Sequence, residues 1–219
     1  MEFVYWPMKG KAETIRLVLA YFQLKHTEKN PTSFEEALTL TRNNGYDFPN
    51  MPCLTDEDVK LTESSAIPIY LAHKAGDKNF FGKEGLERVK HQMLLGVFDD
   101  FLNIVFELLK TGDFDATYES KRPTLERKLQ ELSQFKGEKK FFFEHVTYSD
   151  IAFFFLAEFF KEIAKGLKKP SPFADLPNLE NHLENVASLP GIRDYLENDP
   201  RAKRPIILPH VSKFPFANN

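Results

Sequence analysis

Along the first eighty positions the spacing of apolar residues changes period several times. Glu2 to Trp6 reads as a short strand, and Pro7 and Gly10 punctuate a turn. Ile15, Val18, Leu19 and Phe22 then recur at i, i+3, i+4 and i+7, which predicts one buried face of a helix. An extended stretch from Lys25 to Lys29 leads past Pro31 to a weak helical patch at Phe34 to Leu40 and a polar loop from Arg42 to Gly45. Two apolar runs, Met51 to Leu54 and Val59 to Leu61, flank Thr55, Asp56, Glu57 and Asp58, a spacing that predicts a β-hairpin. A helix from near Ser64 carries Ile67 and Leu71 inward. It tolerates Pro68 because first-turn amides have no intrahelical partner.

The order βαβ then ββα predicts an α+β, thioredoxin-like domain over residues 1–80. From Lys83 the alternation disappears and long helical patterns take over: Glu84 to Lys110, Pro123 to Phe135, Ser149 to Gly166, Leu176 to Ser188 and Gly191 to Asn198, before an irregular tail from Pro200 to Asn219. An all-α domain over 83–219 follows. Thr147-Tyr148-Ser149-Asp150 reads as a capping box with Asp in place of Glu, and Val146 supplies half of a hydrophobic staple. That box is expected to start the most apolar helix and to carry no chemistry.

Composition narrows the function classes. Lys plus Arg number 29 against 32 Asp plus Glu, a net charge of -3, so the chain has no cationic field for a nucleic acid. The longest strongly apolar run, Ile151 to Phe160, is about half of what a membrane span needs, and it contains Glu158. The amino-terminal MEFVYW lacks a signal-peptide pattern, and the single Cys53 cannot form an internal disulfide, so a reducing, cytoplasmic setting is expected. The six histidines show no ligand spacing, which predicts no metal. No Gly-rich phosphate loop or Gly-x-Ser-x-Gly elbow is present, and Cys53 within an apolar run reads as a small buried hydrophobe.

What remains is three loops that converge at one edge of such a sheet: Tyr5-Trp6 with the Pro7 to Gly10 turn, Asn50-Met51-Pro52, and Glu63-Ser64-Ser65. A cis Met51-Pro52 bond ahead of an edge-forming strand would turn the Met51 backbone toward an extended ligand, and Ser64 at a helix N-terminus would receive a carboxylate.

Tyr5-Trp6, Asp47-Phe48-Pro49-Asn50-Met51-Pro52, Thr62 to Ile67 and the 147–150 cap together resemble a cytosolic glutathione transferase over nearly the whole chain. The likeness is greatest to the mu class, while Phe98-Asp99-Asp100-Phe101 is closer to sigma. The resemblance implies a homodimeric, cytoplasmic detoxification enzyme that conjugates reduced glutathione, its co-substrate, to hydrophobic electrophiles. It implies that Tyr5 bonds the glutathione sulfur, that Trp6 and Pro52 line the same site and that Met51 pairs with the cysteinyl backbone. Asn50 supports the glycyl side, Glu63 and Ser64 hold the γ-glutamyl end, and Asp99 reaches in from the partner subunit. It implies an electrophile pocket near Met8, Phe106, Leu109 and Phe214.

Departures from the mu pattern are specific. The 32–46 loop has no Trp and Arg42 as its only basic residue, so either Arg42 holds the glycyl carboxylate or that end binds more weakly. Glu63 stands where mu enzymes have Gln, the turn reads Pro7-Met8-Lys9-Gly10-Lys11, and Lys11 is expected to point to water. No tyrosine for epoxide opening stands in the 106–109 stretch. Two other readings stay open: a non-catalytic ligand-binding or structural relative, and a glutathione-dependent isomerase of the prostaglandin-synthase type.

Overall fold

The structure, a computed structural model, describes residues 1–111 and 113–207. In chain order its elements are β1 (Glu2–Val4), α1 (Glu13–Tyr21), β2 (Thr27–Lys29), α2 (Phe34–Arg42), β3 (Cys53–Asp56), β4 (Val59–Thr62) and α3 (Ala66–Ala75). There follow α4 (Leu86–Lys110), α5 (Phe114–Lys136), α6 (Tyr148–Gly166), α7 (Pro177–Ala187) and α8 (Pro190–Asn198), with 3-10 turns at Gly10–Ala12 and Pro200–Lys203. These elements form two compact units, Met1–Lys78 with Pro190–Ile206, and Asn79–Leu189 with Ile207.

In the first unit the strands are ordered β2-β1-β3-β4, with β1 parallel to β2 and antiparallel to β3, and β3 antiparallel to β4. The register sets Val4 beside Lys29 and opposite Cys53, and Cys53 opposite Thr62. Tyr5, Asn30, Pro52 and Glu63, each one step beyond those residues, therefore lie at the same end of the sheet. Strand β3 is interior, which corrects the expectation that Met51-Pro52 leads into an edge strand: the edges are β2 and β4.

Helix α1 buries Ile15, Leu17, Val18 and Leu19, and with them the charged Glu13 and Arg16. Helix α8 packs on α1 so closely that a Cβ at Gly191 would lie 2.0 Å from the Ala20 carbonyl oxygen. Residues 190–206, expected in the helical domain, are thus part of the first unit. The hairpin loop is tighter than expected: β3 runs on through Asp56, and only Glu57 and Asp58 remain, with Glu57 at a positive φ of 54°. Arg42 ends α2 instead of opening the loop after it.

In the second unit α4 packs on α5 and α6, and α7 on α5 and α6. The core between them is largely phenylalanine: Phe98, Phe142, Phe153 and Phe173 form a chain of ring contacts, and Phe101 meets Phe160 edge-on. Helix α5 begins nine residues before the expected Pro123. Asp113 caps it by accepting the Ala116 amide at 3.0 Å. A buried stripe of Tyr118, Leu125, Leu129 and Leu132 runs past Pro123, so packing outweighs the lost amide.

The box at 147–150 forms as expected. Asp150 accepts from the Thr147 amide at 2.7 Å and its hydroxyl at 2.8 Å, and also from the Phe142 amide at 2.9 Å. The final segment of the chain, including the expected pocket residue Phe214, lies outside the described residues.

Candidate active site

Tyr5 follows β1 and is 6 % exposed. Its backbone is held at both ends, the amide donating to the Lys29 carbonyl at 3.2 Å and the carbonyl accepting Asn30 Nδ2 at 2.8 Å. Its hydroxyl accepts the Lys11 amide at 3.1 Å. That bond exists because Gly10, at φ 44°, brings the turn up to the ring: a Cβ there would sit 2.7 Å from Tyr5 Oη. Accepting from the amide on one side points the phenolic proton elsewhere. Burial pushes the hydroxyl's pKa up, while the Lys11 amide and the Arg16 charge, whose carbon lies 5.9 Å from the ring centre, pull it down. The group is therefore a proton-bearing donor at neutral pH.

The Pro7 to Lys11 turn is tied down on its other side. Arg16 Nη1 donates to the Met8 and Lys9 carbonyls at 2.9 and 3.3 Å, and the Lys9 and Gly10 amides donate to the Pro205 and Ile206 carbonyls, both at 2.9 Å. Met8 is buried and Trp6 half-buried beside it, whereas the Lys11 side chain is exposed.

The second loop is organised by Asn50. Its Oδ1 accepts the Met51 amide at 2.9 Å and its Nδ2 donates to Glu63 Oε1 at 3.4 Å, so one side chain joins the loop before β3 to the loop after β4. The Met51-Pro52 peptide is cis. Met51 packs on a small cluster of Val4, Tyr46 and Cys53. Glu63 is exposed at a left-handed φ of 71°, and its carbonyl accepts the amides of Ala66 and Ile67, both at 3.1 Å. The helix consequently starts later than expected: Ser65 is the residue preceding α3, and Ser64 lies in the turn ahead of it.

Three groups of the first unit went unnoticed in the sequence. The Lys11 side chain is expected to point to water, while its backbone amide makes the contact to Tyr5. Asn30 had no motif at all. Lys60, on β4, donates to the Asn44 carbonyl at 2.5 Å, which brings a second cation to a loop whose own sequence supplies only Arg42. A visible signal for buried polarity was Arg16, a charge set among the apolar positions of α1. Cys53 is buried, and burial raises its pKa, which suits a packing residue.

In the second unit, Phe106 is 38 % exposed and Leu109 half-buried on α4. Asp99 and Asp100 are both exposed on that helix, and Asp100 pairs with Lys128 at 2.5 Å. Among the described residues no cluster of His, Cys, Asp and Glu suits a metal ion, and no helix is long and apolar enough to cross a membrane.

The chain matches the family model for the glutathione S-transferase N-terminal domain over residues 1–73 and that for the C-terminal domain over 97–199. It is 30 % identical over 210 residues to "Glutathione S-transferase 2" of Gallus gallus, with 92 % of each chain covered. It is 28 % identical over 214 residues to "Glutathione S-transferase Mu 2" of Homo sapiens, with 94 % of each covered. A crystal structure of the glutathione S-transferase Blo t 8 superposes with a TM-score of 0.80 at 22 % identity, covering 97 % of this chain and 99 % of that one.

Proposed function

The chain belongs to the glutathione S-transferase family, and on that premise we propose that Tyr5 stabilises the thiolate of reduced glutathione for attack on a hydrophobic electrophile. The observation that carries this reading is the Tyr5 hydroxyl, fixed by the Lys11 amide at 3.1 Å at the same sheet end as Met51 and Glu63. A thiol of pKa about 8.5 is only a few per cent ionised at neutral pH. A hydrogen bond to a charged acceptor contributes roughly 1.5 to 3 kcal/mol, which lowers that pKa by about one to two units. With a chlorinated nitrobenzene, the sulfur forms a bond to the ring carbon and chloride leaves with the pair of its broken bond.

The remaining sites follow the same logic. Met51 offers backbone pairing to the cysteinyl residue, its amide passing from Asn50 Oδ1 to the ligand, with Trp6 and Pro52 beside it. Glu63 accepts from the γ-glutamyl ammonium, and Ser64 bonds the adjoining carboxylate. Arg42, with Lys60 nearby, serves the glycyl carboxylate, and Asn50 supports that end by holding the loop. Met8 supplies apolar surface for the electrophile.

A homodimer is proposed, with Asp99 completing the partner's site. Asp99 suits this better than Asp100, which is engaged by Lys128. Exposed Phe48, at 75 %, and Leu86, Val89 and Met93 are apolar surface that such an assembly would cover. A cytoplasmic setting is consistent with the single reduced cysteine.

The test is retention on immobilised glutathione followed by turnover of a chlorinated nitrobenzene. Wild type should be retained and active, and Tyr5→Phe retained but slower by about 10- to 100-fold in kcat/KM. Retention without measurable wild-type turnover would favour a non-catalytic binding protein, and normal turnover by Tyr5→Phe would remove the role given to that residue.

A further inference from the structure

Glu28, on β2, is a carboxylate with 2 % exposure shared by three guanidinium groups. Arg16 grips it in a fork, Nε at 3.0 Å and Nη2 at 2.9 Å; Arg204 Nη1 approaches to 2.6 Å and Arg201 Nη1 to 3.3 Å. Asn30 Nδ2 adds a fourth donor group at 2.7 Å. Such a bidentate pair fixes direction as well as charge.

Two of these partners also hold the catalytic strand and its turn. Arg16, with its Nε and Nη2 spent on Glu28, can aim Nη1 only at the Met8 and Lys9 carbonyls and at Glu13 Oε2, 3.1 Å away. The turn so fixed presents the Lys11 amide to Tyr5 Oη. Asn30, bonded to Glu28, uses the same Nδ2 to hold the Tyr5 carbonyl at 2.8 Å, and Arg204 Nη2 orients it from behind, donating to Oδ1 at 2.8 Å.

We propose that Glu28, acting through Arg16 and Asn30, is a positioning residue for the Tyr5 hydroxyl, gripping both the turn that delivers the Lys11 amide and the carbonyl of Tyr5 itself. This rests on the thiolate-stabilising role given to Tyr5 above. A hydroxyl that accepts from an amide is polarised and donates its own proton more strongly, so loosening the amide weakens the bond to sulfur. Glu28 never touches the ligand, and its effect reaches the chemistry only through those two contacts.

The experiment is a titration of the ultraviolet thiolate absorbance of glutathione bound to wild type, Glu28→Gln, Asn30→Ala, and Glu28→Gln in a Tyr5→Phe background, with melting curves to establish that each is folded. Glu28→Gln should raise the apparent pKa of the bound thiol by about one unit, displacing the pH–rate profile and lowering kcat/KM at neutral pH about tenfold. The KM for glutathione should stay within about twofold of wild type. Asn30→Ala, which leaves every ion pair intact, should shift it in the same direction by about threefold in thiolate fraction, and decides the matter if Glu28→Gln does not fold. In the Tyr5→Phe background Glu28→Gln should add nothing.

A depressed wild-type pKa left unmoved in the folded variants, or a full extra shift without the Tyr5 hydroxyl, would overturn the positioning role while leaving Tyr5 in place. An undepressed wild-type thiol would remove both.

Discussion

Glu28 in the first unit and Asp150 in the second are carboxylates buried at structural junctions, and they are stabilised in opposite ways. For Glu28, burial alone would raise the pKa, but hydrogen bonds and charge from Arg16, with help from Asn30 and Arg204, overcome it and hold the carboxyl at about 2. For Asp150, burial dominates and pushes the pKa up to about 6 against the amides of Phe142 and Thr147 and the Thr147 hydroxyl. His182 Nε2, 3.7 Å away, brings no charge, because burial among Phe142 and Phe153 lowers its own pKa to about 3. Cations thus hold the first carboxylate and backbone dipoles the second. The first arrangement fixes Arg16 and Asn30 against the carbonyls of Met8, Lys9 and Tyr5, and the second caps a helix.

The contrast is broken most severely by Asp150→Ala. Three donors lose their acceptor inside the core, so the cost should be about 3 kcal/mol, above the roughly 1 kcal/mol of an ordinary cap. Specific activity per folded molecule should not change, and melting curves read beside active-site titration check both halves.

The pH dependence sharpens the same point. The folded state holds the Asp150 proton more tightly than the unfolded chain, whose value is 3.8, so this group's contribution is present below 3.8 and is lost as pH rises through about 6. Glu28 is the reverse: its contribution is present above the unfolded value of 4.5 and is lost as pH falls toward 2. Melting temperature against pH should lose the first slope in Asp150→Ala and the second in Glu28→Gln.

Gly10→Ala should come next, at about 1 to 2 kcal/mol, because it combines a left-handed φ with a Cβ meeting Tyr5 Oη at 2.7 Å. Unlike Asp150→Ala it should reduce kcat beyond what its stability loss explains. Smallest is Arg42→Ala. This exposed cation should cost under about 1 kcal/mol, seen as a few-fold rise in the KM for glutathione with kcat unchanged.

Much of this was readable in the chain. Periodicity found α1, and the 147–150 box marked α6, because both depend on local spacing. The three loops at the sheet end were identified with their residues. What escaped was set by packing or by backbone. The start of α5 was hidden by Pro123, a residue whose local preference a buried leucine stripe outweighs. The membership of α8 in the first unit depends on a close approach of Gly191 to Ala20 that no local pattern encodes. The Lys11 amide was invisible because any residue but proline supplies one. The Glu28 cluster joins side chains more than 170 positions apart.

The proposed chemistry requires a phenol near the amino end to keep a bound sulfur ionised. Ultraviolet titration of glutathione bound to the wild-type protein and to Tyr5→Phe addresses this directly. The expected result is a wild-type thiol titrating about one to two units below the free value of about 8.5, with that depression lost in Tyr5→Phe. A wild-type thiol titrating at the free value, or an equal depression in both proteins, would contradict it.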